Sequence, residues 1–133
     1  MQVAELMQRN VRTIASEACV AEVVLSLADA HVSGLPVVDK NGRMIGVVSA
    51  TDVLTAEAEA ESQRVGRELL EETSVRDIMT ARPYTVAPDE DVREAARQML
   101  YADVHRLFVA EGDRLVGVIS TTDIVRAVAT GKL

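Results

Sequence analysis

The chain is written twice. Laying Val3 on Val75 pairs, at a constant offset, Met7 with Met79, Thr13 with Thr85, Ala15 with Ala87, Val20 with Val92 and Glu22 with Glu94. The register continues through Val32 with Val104, Leu35 with Leu107 and Val37 with Val109. One residue dropped in a turn then brings Arg43 onto Arg114, Gly46 onto Gly117, Ser49 onto Ser120, Thr51 onto Thr122 and Asp52 onto Asp123. A repeat of this length constrains the architecture before any single motif is read, because both halves must build the same supersecondary unit. With 133 residues in all, the two units are expected to share one module, since a lone unit of that size buries too little apolar surface to stand free.

Apolar spacing within each half changes in the same order. Val20, Val23, Val24 and Leu27 stand at helical intervals, as do Val92, Ala95, Ala96 and Met99, so each half carries an amphipathic helix with one buried face. Two strands follow, Leu35–Val38 and Met44–Val48, around Asn41-Gly42, a dipeptide suited to a tight hairpin turn with positive φ. Their counterparts Leu107–Ala110 and Leu115–Ile119 flank Gly112-Asp113. A short β-rich segment precedes each helix, near Thr13–Ala15 and Tyr84–Val86, and each hairpin runs into a closing helix near 51–58 and 122–129. The fold class predicted is therefore α+β, with a strand-helix-strand-strand-helix unit over 1–58 and again over 75–133. Residues 59–74 join them as an acidic helical linker, rich in Ala and Glu, expected to extend the first closing helix into solvent and to weaken near Gly66.

Chemistry concentrates at Gly46-Val-Val-Ser-Ala-Thr-Asp52 and Gly117-Val-Ile-Ser-Thr-Thr-Asp123. Each segment lies where a strand ends and a helix begins, so amide donors, the positive end of the helix dipole and short hydroxyl side chains meet there, a setting suited to phosphate. A carboxylate one turn in suits the vicinal hydroxyls of ribose. The same spacing, Ser49-x-x-Asp52 and Ser120-x-x-Asp123, is also that of a capping box that merely starts a helix. One residue can serve both roles.

The order of these segments resembles the cystathionine-β-synthase (CBS) domain. The likeness rests on Val75-Arg-Asp-Ile-Met-Thr80, Thr85-Val-Ala-Pro88, His105-Arg-Leu-Phe-Val109 and Gly117–Asp123, with first-half counterparts Leu6-Met7, Thr13-Ile14, Gly34–Asp39 and Gly46–Asp52. The resemblance implies a paired CBS module, two repeats packed through their sheets about a pseudo-twofold axis. It implies a regulatory module that binds an adenosine-containing ligand such as AMP, ADP, ATP or S-adenosylmethionine, requires no cofactor, and assembles as a homodimer. Carried over residue by residue, Asp52 and Asp123 would hold ribose hydroxyls. Ser49, Thr51, Ser120 and Thr122 would meet phosphate. The base would lie against Thr13, Ile14, Thr85, Val86 and Ala87. His105 and Arg106, which align with Ser33 and Gly34, resemble a basic phosphate contact and imply unequal sites. Phe108 departs from the pattern, standing where the first half has Pro36.

The bulk properties exclude other classes. A net charge of −7 argues against nucleic acid as a partner. The single cysteine, Cys19, permits no internal disulfide and is expected to pack on a helix. No apolar run approaches the roughly 20 residues of a membrane span, and MQVAELMQRN lacks a leader's apolar stretch, so the cytoplasm is the expected location. No nucleophile-base pattern or metal-ligand spacing surrounds His31 or His105, and an enzyme is not expected. The alternative to a nucleotide sensor is a purely structural dimerisation module without ligand.

Overall fold

A computed structural model describes residues 1–81 and 84–133, which divide into two compact units. One comprises Arg12–Pro83; the other joins Met1–Val11 to Tyr84–Leu133. The units thus do not follow the repeats, because the segment leading into each half belongs to the unit built by the other half.

The first unit runs β1 (Ile14–Ala15), α1 (Val20–Ala30), β2 (Gly34–Val38), β3 (Met44–Ser49), α2 (Ala50–Ala58), α3 (Gln63–Glu72), α4 (Val75–Ile78) and β4 (Thr80–Ala81). Its sheet has the order β1-β2-β3-β4, with β1 parallel to β2 and the other pairs antiparallel. The second unit opens with a 3-10 turn at Val3–Glu5 and continues with β5 (Thr85–Val86), α5 (Val92–Ala102), β6 (Arg106–Glu111), β7 (Arg114–Ser120) and α6 (Thr121–Ala129). Its sheet is β5-β6-β7, and Gln8 adds an antiparallel bridge to Val118 on the β7 edge. That bridge sits where β4 pairs with β3 in the first unit, Val47 opposite Thr80.

Core composition follows from the same arrangement. Ile14, Val23, Leu27, Leu35, Val37, Val48 and Val75 form one cluster, and Val3, Val86, Ala95, Met99, Leu107, Val109 and Ile119 the other. Val75 and Val3, equivalent in the repeat, are each fully buried in the core of the opposite half's unit. The helix faces predicted from spacing are the buried ones, except that Val24 is left 40% exposed and Ala96 half-buried. Cys19 is the N-cap of α1 rather than part of its packed face. α1 and α5 end on His31 and Asp103, both at φ 53 in the left-handed region, so the two aligned residues terminate their helices in the same way.

The tight turn expected at Asn41-Gly42 forms, with its positive φ at Gly42. The Asp39 carboxylate accepts the N–H groups of Asn41 (2.9 Å) and Arg43 (3.0 Å), while the Asp39 amide donates to the Arg43 carbonyl, giving a turn organised by a side chain and one left-handed glycine. The Arg43 N–H, foremost, with Asn41 and the nearby guanidinium charges, holds the Asp39 carboxyl below its usual range. A depressed carboxyl stabilises the fold above its unfolded pKa of about 3.9, and that contribution is lost as pH falls through the lower folded value. Asp39→Asn is therefore expected to flatten the acid limb of stability, read as urea midpoints between about pH 2 and 5.

The linker departs from expectation. α2 stops at Ala58, and a separate helix, α3, starts after Ser62, whose hydroxyl accepts the Val65 N–H. The break falls four residues before Gly66, which is buried inside α3. A Cβ there would lie 2.9 Å from Glu57 Oε1, so glycine permits α3 to close on α2 instead of weakening a solvated arm. α3 also packs on α1.

Candidate functional site

The two strand-to-helix junctions have matching geometry. Ser49 is the N-cap of α2: its hydroxyl accepts the Asp52 N–H at 3.1 Å, and its own N–H donates to Asp52 Oδ2 at 2.8 Å. Ser120 and Asp123 repeat these contacts at the start of α6, at 3.1 and 2.8 Å. Both capping boxes are thus real, and each spends one carboxylate oxygen, Oδ2, on the helix start. Oδ1 is the oxygen left for anything else.

Amide donors are scarcer than the sequence suggests. At each junction the serine N–H is held by the aspartate, and the aspartate N–H by the serine hydroxyl. The first helical amides are taken as well, Ala50 N–H by the Ser33 carbonyl (2.8 Å) and Thr121 N–H by the His105 carbonyl (2.9 Å). Among the described residues this leaves the Thr51 and Thr122 amides, beside their own exposed hydroxyls, as the first-turn donors toward an anion.

The strands bring further residues to the same end of each sheet. Arg106 lies directly across from Ser120 in the β6-β7 ladder, the place Gly34 takes opposite Ser49. Thr85 pairs with Phe108, which pairs with Val118. Thr13 precedes the Ile14–Val37 pair, so it stands two strands across and about two residues along from Ser49, on the order of 10 Å away. Thr13 and Thr85 are exposed and Ala87 half-buried, whereas the side chains of Ile14 and Val86 are committed to their cores. Only main-chain groups of those two are candidates for reading a base.

His105 and Arg106 are separated. Adjacent residues entering a strand point to opposite faces. His105 lines a largely apolar groove of about 260 Å³ between α5 and α6, with Met99, Leu100, Ile124 and Val125, while Arg106 stays beside Ser120.

Two residues that pattern reading did not single out touch the site carboxylates. Gln8 Nε2 donates to Asp123 Oδ1 at 3.3 Å, and Thr80 Oγ1 donates to Asp52 Oδ1 at 3.5 Å. They are the equivalent positions that follow Met7 and Met79, so the signal was present in the repeat alignment, one residue beyond a pair already matched. Asp123 is 8% exposed and also has Arg126 Nη1 at 3.9 Å from Oδ1; Asp52 is more open. Among the described residues no group of three or more His, Cys, Asp or Glu is placed to hold a metal, and no helix is long and apolar enough to cross a membrane.

Comparison with known proteins gives a consistent result. The CBS domain family model matches residues 3–59 and 75–130. A homoserine O-acetyltransferase of Methanococcoides burtonii is 32% identical over 127 residues, 95% of this chain but 24% of that protein. The chain likewise spans 41% of a relative from Methanocaldococcus jannaschii, so these curated relatives are much longer than it is. A crystal structure of CBSX2 in complex with AMP is 27% identical, covers 99% of this chain and 98% of that one, and superposes with a TM-score of 0.82. A CBS domain-containing protein of unknown function from Bacillus anthracis, 19% identical, shares the fold at a TM-score of 0.84 over 98% of this chain and 94% of its own. With a tandem α+β repeat, two matching junctions and family matches over both halves, the chain belongs to the CBS domain family as a tandem CBS pair.

Proposed function

We propose that this chain is a regulatory module that binds an adenine nucleotide, performs no catalytic step, and acts on a partner in trans or through its own assembly. One observation carries the reading. Both halves fix an aspartate by one oxygen at a helix start, keep the other oxygen out of that capping box, and carry an exposed threonine at the preceding position. Support comes from CBSX2, which resembles the chain over nearly its whole length and was crystallised with AMP.

In this reading Asp52 and Asp123 take ribose hydroxyls, with Ser49 and Ser120 holding those carboxylates in place. Thr51 and Thr122 meet phosphate. Arg106 supplies the charge that one amide per junction cannot, since a charge-assisted hydrogen bond is worth about 1.5–3 kcal/mol. The base lies near Thr13, Thr85 and Ala87 and the main chain of Ile14 and Val86. A ligand regulates only by preferring one state of the protein over another. Assembly is a natural second state, because Leu100, Tyr101, Val125 and Val128 on α5 and α6 are 58–91% exposed, and a homodimer would cover them.

Titration calorimetry with AMP, ADP, ATP, S-adenosylmethionine and adenosine tests the proposal. An adenylate should bind, and at about 100 times its dissociation constant it should add about 2.7 kcal/mol to unfolding stability. Arg106→Ala should weaken AMP about tenfold or more while changing adenosine little. Equal loss for both would remove the phosphate role of Arg106, and silence from the whole panel would favour a purely structural dimerisation module.

A further inference from the structure

We infer that Gln8 and Thr80 set the unequal ribonucleotide affinities of the two junctions, Gln8 acting as a built-in competitor at Asp123. This rests on the nucleotide reading above, and adds to it residues from the segments that lead into each half.

Each carboxylate has about four acceptor positions, two on each oxygen. At both junctions Oδ2 is committed to the helix start. A ribose diol brings two donors, so it needs Oδ1 open. At Asp123 one position on Oδ1 is taken by Gln8 Nε2 and the Arg126 guanidinium faces the same oxygen at 3.9 Å, in a residue only 8% exposed. At Asp52, among the described residues, the same oxygen meets Thr80 Oγ1, at the outer limit of a hydrogen bond, 3.5 Å. A hydroxyl can also turn and accept from ribose, which the amide N–H of Gln8 cannot do.

Gln8 does not arrive by chance. Its N–H donates to the Val118 carbonyl at 2.8 Å and its carbonyl accepts the Val118 N–H at 2.9 Å, so the side chain starts from a fixed point on the β7 edge. Met7 is seated beside it, with Sδ 2.7 Å from where a Cβ on Gly117 would stand. Met79 sits the same way on Gly46, and Thr80 is held on β3 by the β3-β4 pairing. Two halves that have diverged at most surface positions thus both present the residue after a seated methionine to the same carboxylate oxygen. A tethered competitor acts at high effective concentration. The consequence is a handicap at the Asp123 junction, whose ribose subsite fills only as Gln8 withdraws and which offsets part of what Arg106 adds beside Ser120.

The test uses AMP as the probe on the full chain, one junction at a time. With Asp52→Ala to silence the first junction, Gln8→Thr should strengthen AMP binding about fivefold, the size of one modest hydrogen bond. With Asp123→Ala to silence the second, Thr80→Gln should weaken AMP by a similar factor. The exchanged pair Gln8→Thr/Thr80→Gln, with both aspartates intact, should shift relative AMP affinity toward the Asp123 junction by the product of the two single effects. None of these changes should affect 2′,3′-dideoxy-AMP, which lacks the diol. Weaker AMP binding by Gln8→Thr would make Gln8 a ligand contact instead, and unchanged binding in all of them would leave Gln8 with a structural role only; either result overturns the inference. Normal AMP binding that ignores Asp52 and Asp123 would overturn the nucleotide site itself, a different failure. Thermal unfolding of each variant checks that the segment has stayed in place.

Discussion

A methyl group placed on Gly46 or Gly117 is expected to unseat the segment that crosses from the other half, lowering stability by about 1–3 kcal/mol. A Cβ on Gly46 would lie 2.7 Å from both Met79 Sδ and the Thr80 carbonyl oxygen; on Gly117 it would lie 2.7 Å from Met7 Sδ and 2.9 Å from the Gln8 carbonyl oxygen. A thioether can shift, but these carbonyls belong to backbone pairing, the Gln8 oxygen accepting the Val118 N–H at 2.9 Å. Relief then requires moving the segment, which strips the cover from Val75 or Val3 in the adjoining core. Gly46→Ala and Gly117→Ala should therefore lower the melting temperature by about 5–10 °C. Gly112→Ala is a useful contrast, because a Cβ there would meet nothing within 4 Å among the described residues beyond its chain neighbours and has the strain of φ +63 to bear. If Gly117→Ala melts no lower than Gly112→Ala, close approach is not what glycine serves at that position.

The second large effect is on binding. Replacing Asp52 and Asp123 by Asn keeps a side-chain oxygen that can face the helix start, but removes the charge and half of the acceptor capacity. Each charge-assisted bond to ribose is worth about 1.5–3 kcal/mol, so losing two weakens AMP about 100-fold or more at a junction. The cost to the fold is separate and smaller. Loss of an N-terminal capping interaction is worth about 1 kcal/mol, and it falls more heavily on Asp123, which is buried, than on Asp52. Alanine at 123 would add the burial of an emptied pocket, so asparagine separates binding from stability more cleanly.

Much of the fold was legible because the repeat doubles every weak signal. Apolar residues at helical spacing marked α1 and α5 from their first residues and ran out three residues before their observed ends, and the hairpins followed from the turn residues between apolar runs. Partner choice was not legible. Val3 and Val75 are apolar whichever core they enter, and neither Gln8 nor Thr80 carries a pairing signal of its own, so nothing local says that each segment pairs with the sheet of the other half. The break between α2 and α3 was hidden for a different reason. Ala and Glu favour helix throughout 55–61, and the stop is set by the Ser62 cap and by the approach of α3 to α2 at Gly66. At the site, the serine-aspartate spacing correctly gave the capping box, but not that neighbouring carbonyls of Ser33 and His105 consume the first helical amides. The separation of His105 from Arg106 follows from strand alternation once β6 is known to begin at Arg106.

The most direct test is a calorimetric titration of AMP into the parent chain and into the Asp52→Asn/Asp123→Asn variant, with circular dichroism to verify that both remain folded. Saturable binding to the parent and a loss of about 100-fold or more in the folded variant is the expected result. Equal binding by the two proteins, or no binding by the parent, would contradict the claim that these carboxylates are held at their helix starts to receive a ribose.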